Sequence, residues 1–261
     1  MRAPVLILAC LVAAALTAPV LAPYSPDQID LTRLRQAPSA AHWFGTDDLG
    51  RDVLARVLYG ARVSLAVGLL SAAVAGVSGV ALGGIAGYAG GAVDAVLMRL
   101  TDAMLAVPRL PLLMIAAALL QPSVTLLVLL IGAAGWMETA RVIRAEFRTL
   151  AERGFVESAR AAGAGHARVI AAHLLPNAAH AATVSITLAV ARGILIESAL
   201  SFFGVGVRPP QASWGNMLYQ SQSTLATEPW LAVAPGILIL LTTISVNVAG
   251  DRVIAAKRVS R

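Results

Sequence analysis

The sequence predicts an all-α, polytopic membrane protein with six transmembrane helices, and three observations carry that prediction. Hydrophobic residues make up 58% of the 261 positions and charged residues only 13%, about half the charged share of an ordinary soluble domain. Uncharged runs exceed the ~18 residues that mark a membrane-span candidate. The charges fall in clumps between those runs, and the net charge of +6 comes almost wholly from arginine, with Lys257 the only lysine. Such an excess fits positive loops on the cytoplasmic side of a membrane. Helices follow because lipid offers backbone N–H and C=O groups no partner outside the segment. Cys10, the single cysteine, leaves no internal disulfide and no multi-cysteine metal site.

Residues 1–22 are the first span: "APVLILACLVAAALTAPVLA" is uncharged and follows Arg2. The run is long for the apolar core of a cleaved signal, and the stretch before Cys10 is too short for a lipoprotein signal, so a retained helix is expected. Residues 23–62 form an outer loop containing "HWFGTDDLGRDVLARVLYGAR". Thr46 is placed to cap a helix whose first turn holds Asp47 and Asp48. Asp47–Arg51 and Asp52–Arg56 are spaced as i,i+4 pairs, and Leu49, Val53 and Val57 share a face. Trp43 and Phe44 suit a membrane interface. An amphipathic surface helix is expected here.

Residues 63–250 hold the remaining five helices. The stretch 63–88 is rich in Gly, Ala and Ser, which lets membrane helices approach closely. Residues 110–137 read either as one long span or as parts of two meeting at "QPS", 121–123. Pro122 favours a turn. Two spans put Arg99 and Arg109 on the same side as Arg141, Arg144, Arg148 and Arg153, as positive-inside bias prefers. Spans at about 103–121, with Arg109 snorkelling, and about 124–140 are expected. A span near 178–200 carries Arg192 and Glu197; the last runs from about 229 to 250, before a basic tail at 251–261. Both chain ends are then cytoplasmic.

Between the spans lies a loop at 141–177 containing "VESARAAGAGHARVIAAHLLPN". It reads as two short helices, broken at Gly163-Ala164-Gly165, the second ending near Pro176. Anchored by spans at both ends, such an elbow can protrude and dock into a partner's groove. Ala159, Gly163 and Val169 also match helix-turn-helix spacing, but the second helix has few base-reading side chains, so nucleic acid is not expected as a partner.

Several chemistries lack their residues. A P-loop needs Gly-Lys-Ser/Thr, and Lys257 is flanked by Ala256 and Arg258. HExxH and GxSxG are absent. His166, His173 and His180 are spaced to align on a helix, yet Gly165 and Pro176 interrupt it, so no metal is expected. Arg192 and Glu197 are costly in an apolar span. They read either as pathway residues or as part of an intramembrane pair, with Glu197 alternatively near the outer interface. A proton-coupled transporter using Glu197 or Asp102 is the rival from another class.

Glu157-Ser158-Ala159, Gly163 six residues after the Glu, and Leu175-Pro176 resemble the cytoplasmic motif of importer-type ABC-transporter permeases, Glu-Ala-Ala…Gly…Ile-x-Leu-Pro. Ser158 and His173 depart from it. The ending "AAHLLPN" resembles the dipeptide/oligopeptide/nickel branch, as do "FGTDDLGRDVLARVLYGARVSL" and "ESALSFFGVGVRPPQASWGNML". The likeness runs from about residue 42 to 251. It implies a type I ABC-importer permease fold in a bacterial cytoplasmic membrane. It implies coupling to ATPase subunits through Glu157, Ser158, Ala159, Gly163, His173, Leu175 and Pro176, and an outer-loop motif at Gly45, Thr46, Asp47, Asp48, Gly50, Arg51 and Asp52. The implied partners are a second homologous permease, two ATPase subunits that bind ATP and Mg, an extracytoplasmic binding protein and membrane lipid, with no cofactor in this chain. Short peptides are the implied cargo, nickel or a nickel chelate the alternative.

Overall fold

A computed structural model describes residues 3–120 and 123–259. The described chain is helical, with one isolated bridge, Thr46 to Asp52. Helices α1 (Ala3–Leu16) and α2 (Ala18–Leu21) lead into an irregular segment. The next helix, α3, runs unbroken from Val53 to Ala89. At 1.5 Å per residue it is roughly 55 Å long, well beyond a ~30 Å hydrocarbon layer.

The start of α3 corrects the expected amphipathic helix. Asp52, not Thr46, is the cap: its carboxylate accepts from the Ala55 amide at 2.8 Å. Residues 53–62 are therefore the first turns of a membrane-length helix, with Val53, Ala55, Arg56 and Val57 buried. Asp52 also leaves the expected pair with Arg56 unformed, because its second oxygen meets His42.

Helix α3 is the central strut. It packs along α7 (Trp136–Ala151) through Gly79, Gly83 and Gly87, one every fourth residue. A Cβ at Gly83 would lie 2.3 Å from the Ala140 carbonyl oxygen, so the two backbones touch where side chains would stand.

Two helices are broken within the region expected at 103–140. Helix α4 (Gly91–Ala106) and α5 (Arg109–Leu120) meet at 82°, and α6 (Val124–Ala133) meets α7 at 40°. Pro108 explains the first break: it has no N–H to donate and holds Val107 extended, at φ −81° and ψ 127°. The expected span at 103–121 is thus bent in its first third. Helix α7 carries the following segment on to Ala151, past the expected end at 140. Ser123 caps α6, accepting from Leu126 at 3.1 Å; residues 121 and 122 of the expected turn lie outside the described residues.

Pro176 does not end a helix. From His166 the chain is helical to Phe202: α9 (His166–Arg168), a π-helical stretch (Val169–Leu174) and α10 (Leu175–Phe202). The wide turn precedes the proline, which sits at the first turn of α10, where a missing N–H is tolerated. Helix α12 (Trp230–Val259) likewise continues through most of the expected tail. Three segments, 53–89, 166–202 and 230–252, can each cross a membrane, and the two bent pairs raise the number to five. With the shorter apolar α1, six segments are available.

Candidate functional site

The elbow is α8 (Gly154–Ala161) with the turn after it. Its last turn closes by a Schellman arrangement: Gly163 N–H donates to Arg160 O at 2.9 Å and Ala164 N–H to Ala159 O at 3.0 Å. That geometry needs a left-handed residue, and Gly163 has φ +85°. A Cβ there would meet nothing within 4 Å. The glycine therefore serves the turn itself.

Beneath the turn the elbow is well seated. Val156, Val169 and Leu174 are fully buried with Ile143 and Phe147 of α7, and Ala164 packs against the same cluster. Tyr88, at the end of α3, hydrogen-bonds His166 at 2.6 Å and stacks under Arg160. The upper face is open: Glu157, Ser158, Gly163, Leu175 and Pro176 are exposed, Ala159 and His173 half-buried. Glu157 lies in the first turn of α8, where the helix dipole favours an anion. His173 stands beside Phe155, ring centroids 6.2 Å apart.

At the opposite end, residues 45–52 form a compact buried turn. Gly45 O accepts from Val53 N at 3.1 Å. Thr46 Oγ1 accepts from Gln36 N at 2.9 Å and donates to the Arg33 carbonyl. Asp47 accepts from the amides of Leu49 (2.9 Å) and Arg51 (3.0 Å) and from Arg51 Nε at 2.7 Å. Asp48 is the outward member, 3.5 Å from Arg51 Nη2. Gly50 is left-handed at φ +73°, and a Cβ on it would lie 1.9 Å from the Asp30 carbonyl oxygen. Asp52 Oδ2 faces His42 Nδ1 at 2.8 Å. Arg56, 1% exposed, lies 3.5 Å from Asp47 and 3.7 Å from Asp27.

Within the membrane span, Arg192 and Glu197 are not partners. Five residues set them about 140° apart around α10. Glu197 is fully buried and accepts from Ser64 of α3 at 3.0 Å and Ser201 at 2.8 Å. Ser64 also accepts from the Trp214 amide at 3.2 Å, so the carboxylate ties α3 and α10 to α11 (Trp214–Gln220). Arg192 instead lies 3.1 Å from Glu138 Oε2, whose other oxygen accepts from Arg109 Nη2 at 2.9 Å. Arg109 is thus not snorkelling. It is turned inward because α5 begins at the break after Val107. Asp102 pairs with Arg141 at 2.5 Å.

Three groups escaped the sequence reading: Glu138, the Asp94 carboxylate held by Arg144 and Arg148, and the Ser213–Asn216 capping box that opens α11. Glu138 carried a legible signal, as the one acid between Asp102 and Glu146. The others depend on contacts between distant helices.

Residues 79–259 match the family described as "Binding-protein-dependent transport system inner membrane component". A Brucella suis biovar 1 protein, provisionally named a peptide permease protein, is 40% identical over 240 residues, 91% of this chain and 80% of its own length. A second from that organism, provisionally named a peptide transport system permease protein, is 37% identical over 250 residues, 96% of this chain and 84% of its own. The dipeptide transport system permease protein DppC of Alkalihalophilus pseudofirmus is 36% identical over 237 residues, 91% of this chain and 78% of its own. The chain belongs to this family of polytopic importer permeases, the inner membrane components of binding-protein-dependent transport systems.

Proposed function

We propose that the chain is one of a pair of permease subunits in an ATP-driven importer of short peptides, with the elbow as the seat of a separate ATPase subunit. The elbow carries this reading. Its exposed tip, Glu157, Ser158 and Gly163, stands on a buried base shared by α3, α7 and α10, so a push on the tip is delivered to three membrane helices at once. Leu175 and Pro176 lie at the root of α10, where the tip's motion enters the span.

Charge supports a cytoplasmic elbow: Arg141, Arg144, Arg148, Arg153, Arg160 and Arg168 gather at that end. The turn at 45–52 then faces outward, toward an extracytoplasmic binding protein, and both chain ends lie on the cytoplasmic side of the bacterial membrane. Hydrolysis of ATP belongs to the partner subunits, since this sequence has no Gly-Lys-Ser/Thr. Peptide cargo is supported by the names of the relatives, two for peptides and one for dipeptides.

Deleting the gene in a strain without a redundant system tests the reading. Uptake of labelled di- to pentapeptides should fall to background and return with the plasmid-borne gene, while nickel uptake is unchanged. Undiminished uptake of every peptide, or loss of nickel uptake alone, contradicts peptide transport.

A further inference from the structure

We propose that Arg109, Glu138 and Arg192 form a carboxylate-binding subsite at membrane depth, which receives the C-terminal carboxylate of a peptide in passage; this rests on the peptide reading above. Arg192 is ten residues before Phe202, about 15 Å from that end of α10, a distance equal to half of a ~30 Å hydrocarbon layer. Arg109 is the first residue of α5, just past the 82° break. Glu138 is in the first turn of α7, just past the 40° break. Two broken helices and one continuous helix thus bring their ionisable groups to one point.

The breaks and the charges are independent signs of the same thing. Irregular backbone at membrane depth persists only where protein buries it or where it lines a wet cavity. Here a recess of about 10 Å³, room for no more than a water, is lined by Arg109, Glu138 and Arg192 with Ser71, Ile131 and Ile196, so a carboxylate enters only as these side chains part. The side chains of Arg109 and Arg192 are 21% and 38% exposed, while Glu138 Oε2 between them is buried without a hydrogen bond, so the arginines are the open members of the cluster.

Charge then selects the ligand. Two guanidinium groups face one carboxylate, leaving one positive charge in the cluster. Asp94 also has two arginines, but its second, Arg148, is 54% exposed and lies one turn further toward the elbow, where water can solvate it. At mid-span an unmatched cation is costly. A terminal carboxylate cancels it and offers two oxygens to the guanidinium fork. Every linear peptide with a free C-terminus carries that group whatever its side chains, which suits a path with little sequence preference. Glu138 limits the surplus to a single charge, so the ligand is held weakly enough to move on.

The test uses the complete importer in proteoliposomes, driven by ATP and supplied with binding protein. The probes are one labelled tripeptide as the free acid and the same tripeptide as its C-terminal amide. R192Q and R109Q should each lower the acid-to-amide uptake ratio about tenfold, the scale of one charge-assisted hydrogen bond. R192K, which keeps the charge but loses the fork, should retain only part of the ratio, and ATPase stimulation by binding protein should persist in all three. Any preference of the binding protein is common to all preparations and cancels. An unchanged ratio in R192Q and R109Q, or equal loss of acid and amide together with lost ATPase stimulation, overturns the subsite. Wild-type protein that carries neither peptide overturns the peptide reading itself, which separates the two failures.

Discussion

The elbow at 154–165 and the turn at 45–52 are both short, charged, glycine-containing stretches, yet they are built in opposite ways. In the turn, the charges are spent inward. Asp47, Arg51, Asp52 and Arg56 are at most 7% exposed; the first three bond one another, the backbone or His42, and Arg56 donates to the Pro26 carbonyl and leaves one nitrogen unpartnered. In the elbow, Glu157 and Arg160 point outward and burial is left to Val156 and Ala164 beneath. Their glycines differ too. Gly50 has a carbonyl pressed against the place of its missing side chain, whereas Gly163 has open space. A polar stretch can therefore be a fixed frame or an open tip, and burial of its charges tells the two apart.

The largest effect that would sharpen this contrast lies in the frame. Asp52→Ala removes the cap of α3, worth about 1 kcal/mol. It also strands the buried His42, at about 1–3 kcal/mol. A combined loss of about 2–4 kcal/mol should appear as a lowered unfolding midpoint of the purified protein in detergent. Asp52→Asn, which can still cap α3, should lose less. A midpoint unmoved by Asp52→Ala would show that the turn does not brace the helix.

A smaller effect is expected at the elbow. Gly163→Ala puts a Cβ into the left-handed region, at about 1 kcal/mol, while Asn tolerates that region better. Hydrogen exchange at the Gly163 and Ala164 amides should accelerate several-fold in the alanine variant and less in Gly163→Asn. The rest of α7 and α10 should be unchanged. Equal acceleration in both variants would mean that a side chain, rather than the backbone angle, is what the turn excludes.

Much of this architecture was legible in the residues. Uncharged length marked α3 and α12, and a mostly apolar run marked α10 despite Arg192 and Glu197, because a span must be predominantly apolar and little else in a sequence is. Gly163-Ala164-Gly165 marked the elbow, because a left-handed cap has few chemical solutions. What failed were the inferences that needed a neighbour. Thr46 resembles a cap as well as Asp52 does, and only the contacts to Gln36 and Arg33 take it away from α3. Pro176 resembles a terminator until the π-helical turn before it is seen. Arg109 resembles a snorkelling end until the break at Pro108 turns it toward Glu138. Arg192 and Glu197 share a helix and a sequence neighbourhood, yet their partners, Glu138 and Ser64, are supplied by other helices.

The contrast between the two ends is tested most directly by crosslinking. With Cys10 replaced by serine, single cysteines at Ser158 on the elbow and Asp48 on the turn are each expressed with the full set of importer subunits. Treatment with a short bifunctional thiol reagent should join position 158 to an ATPase subunit in high yield. Position 48 should give no such product, and should instead be labelled from outside the cell by an impermeant thiol reagent. An ATPase adduct at 48, or none at 158 in an assembled and active importer, contradicts the assignment of the elbow as the coupling site.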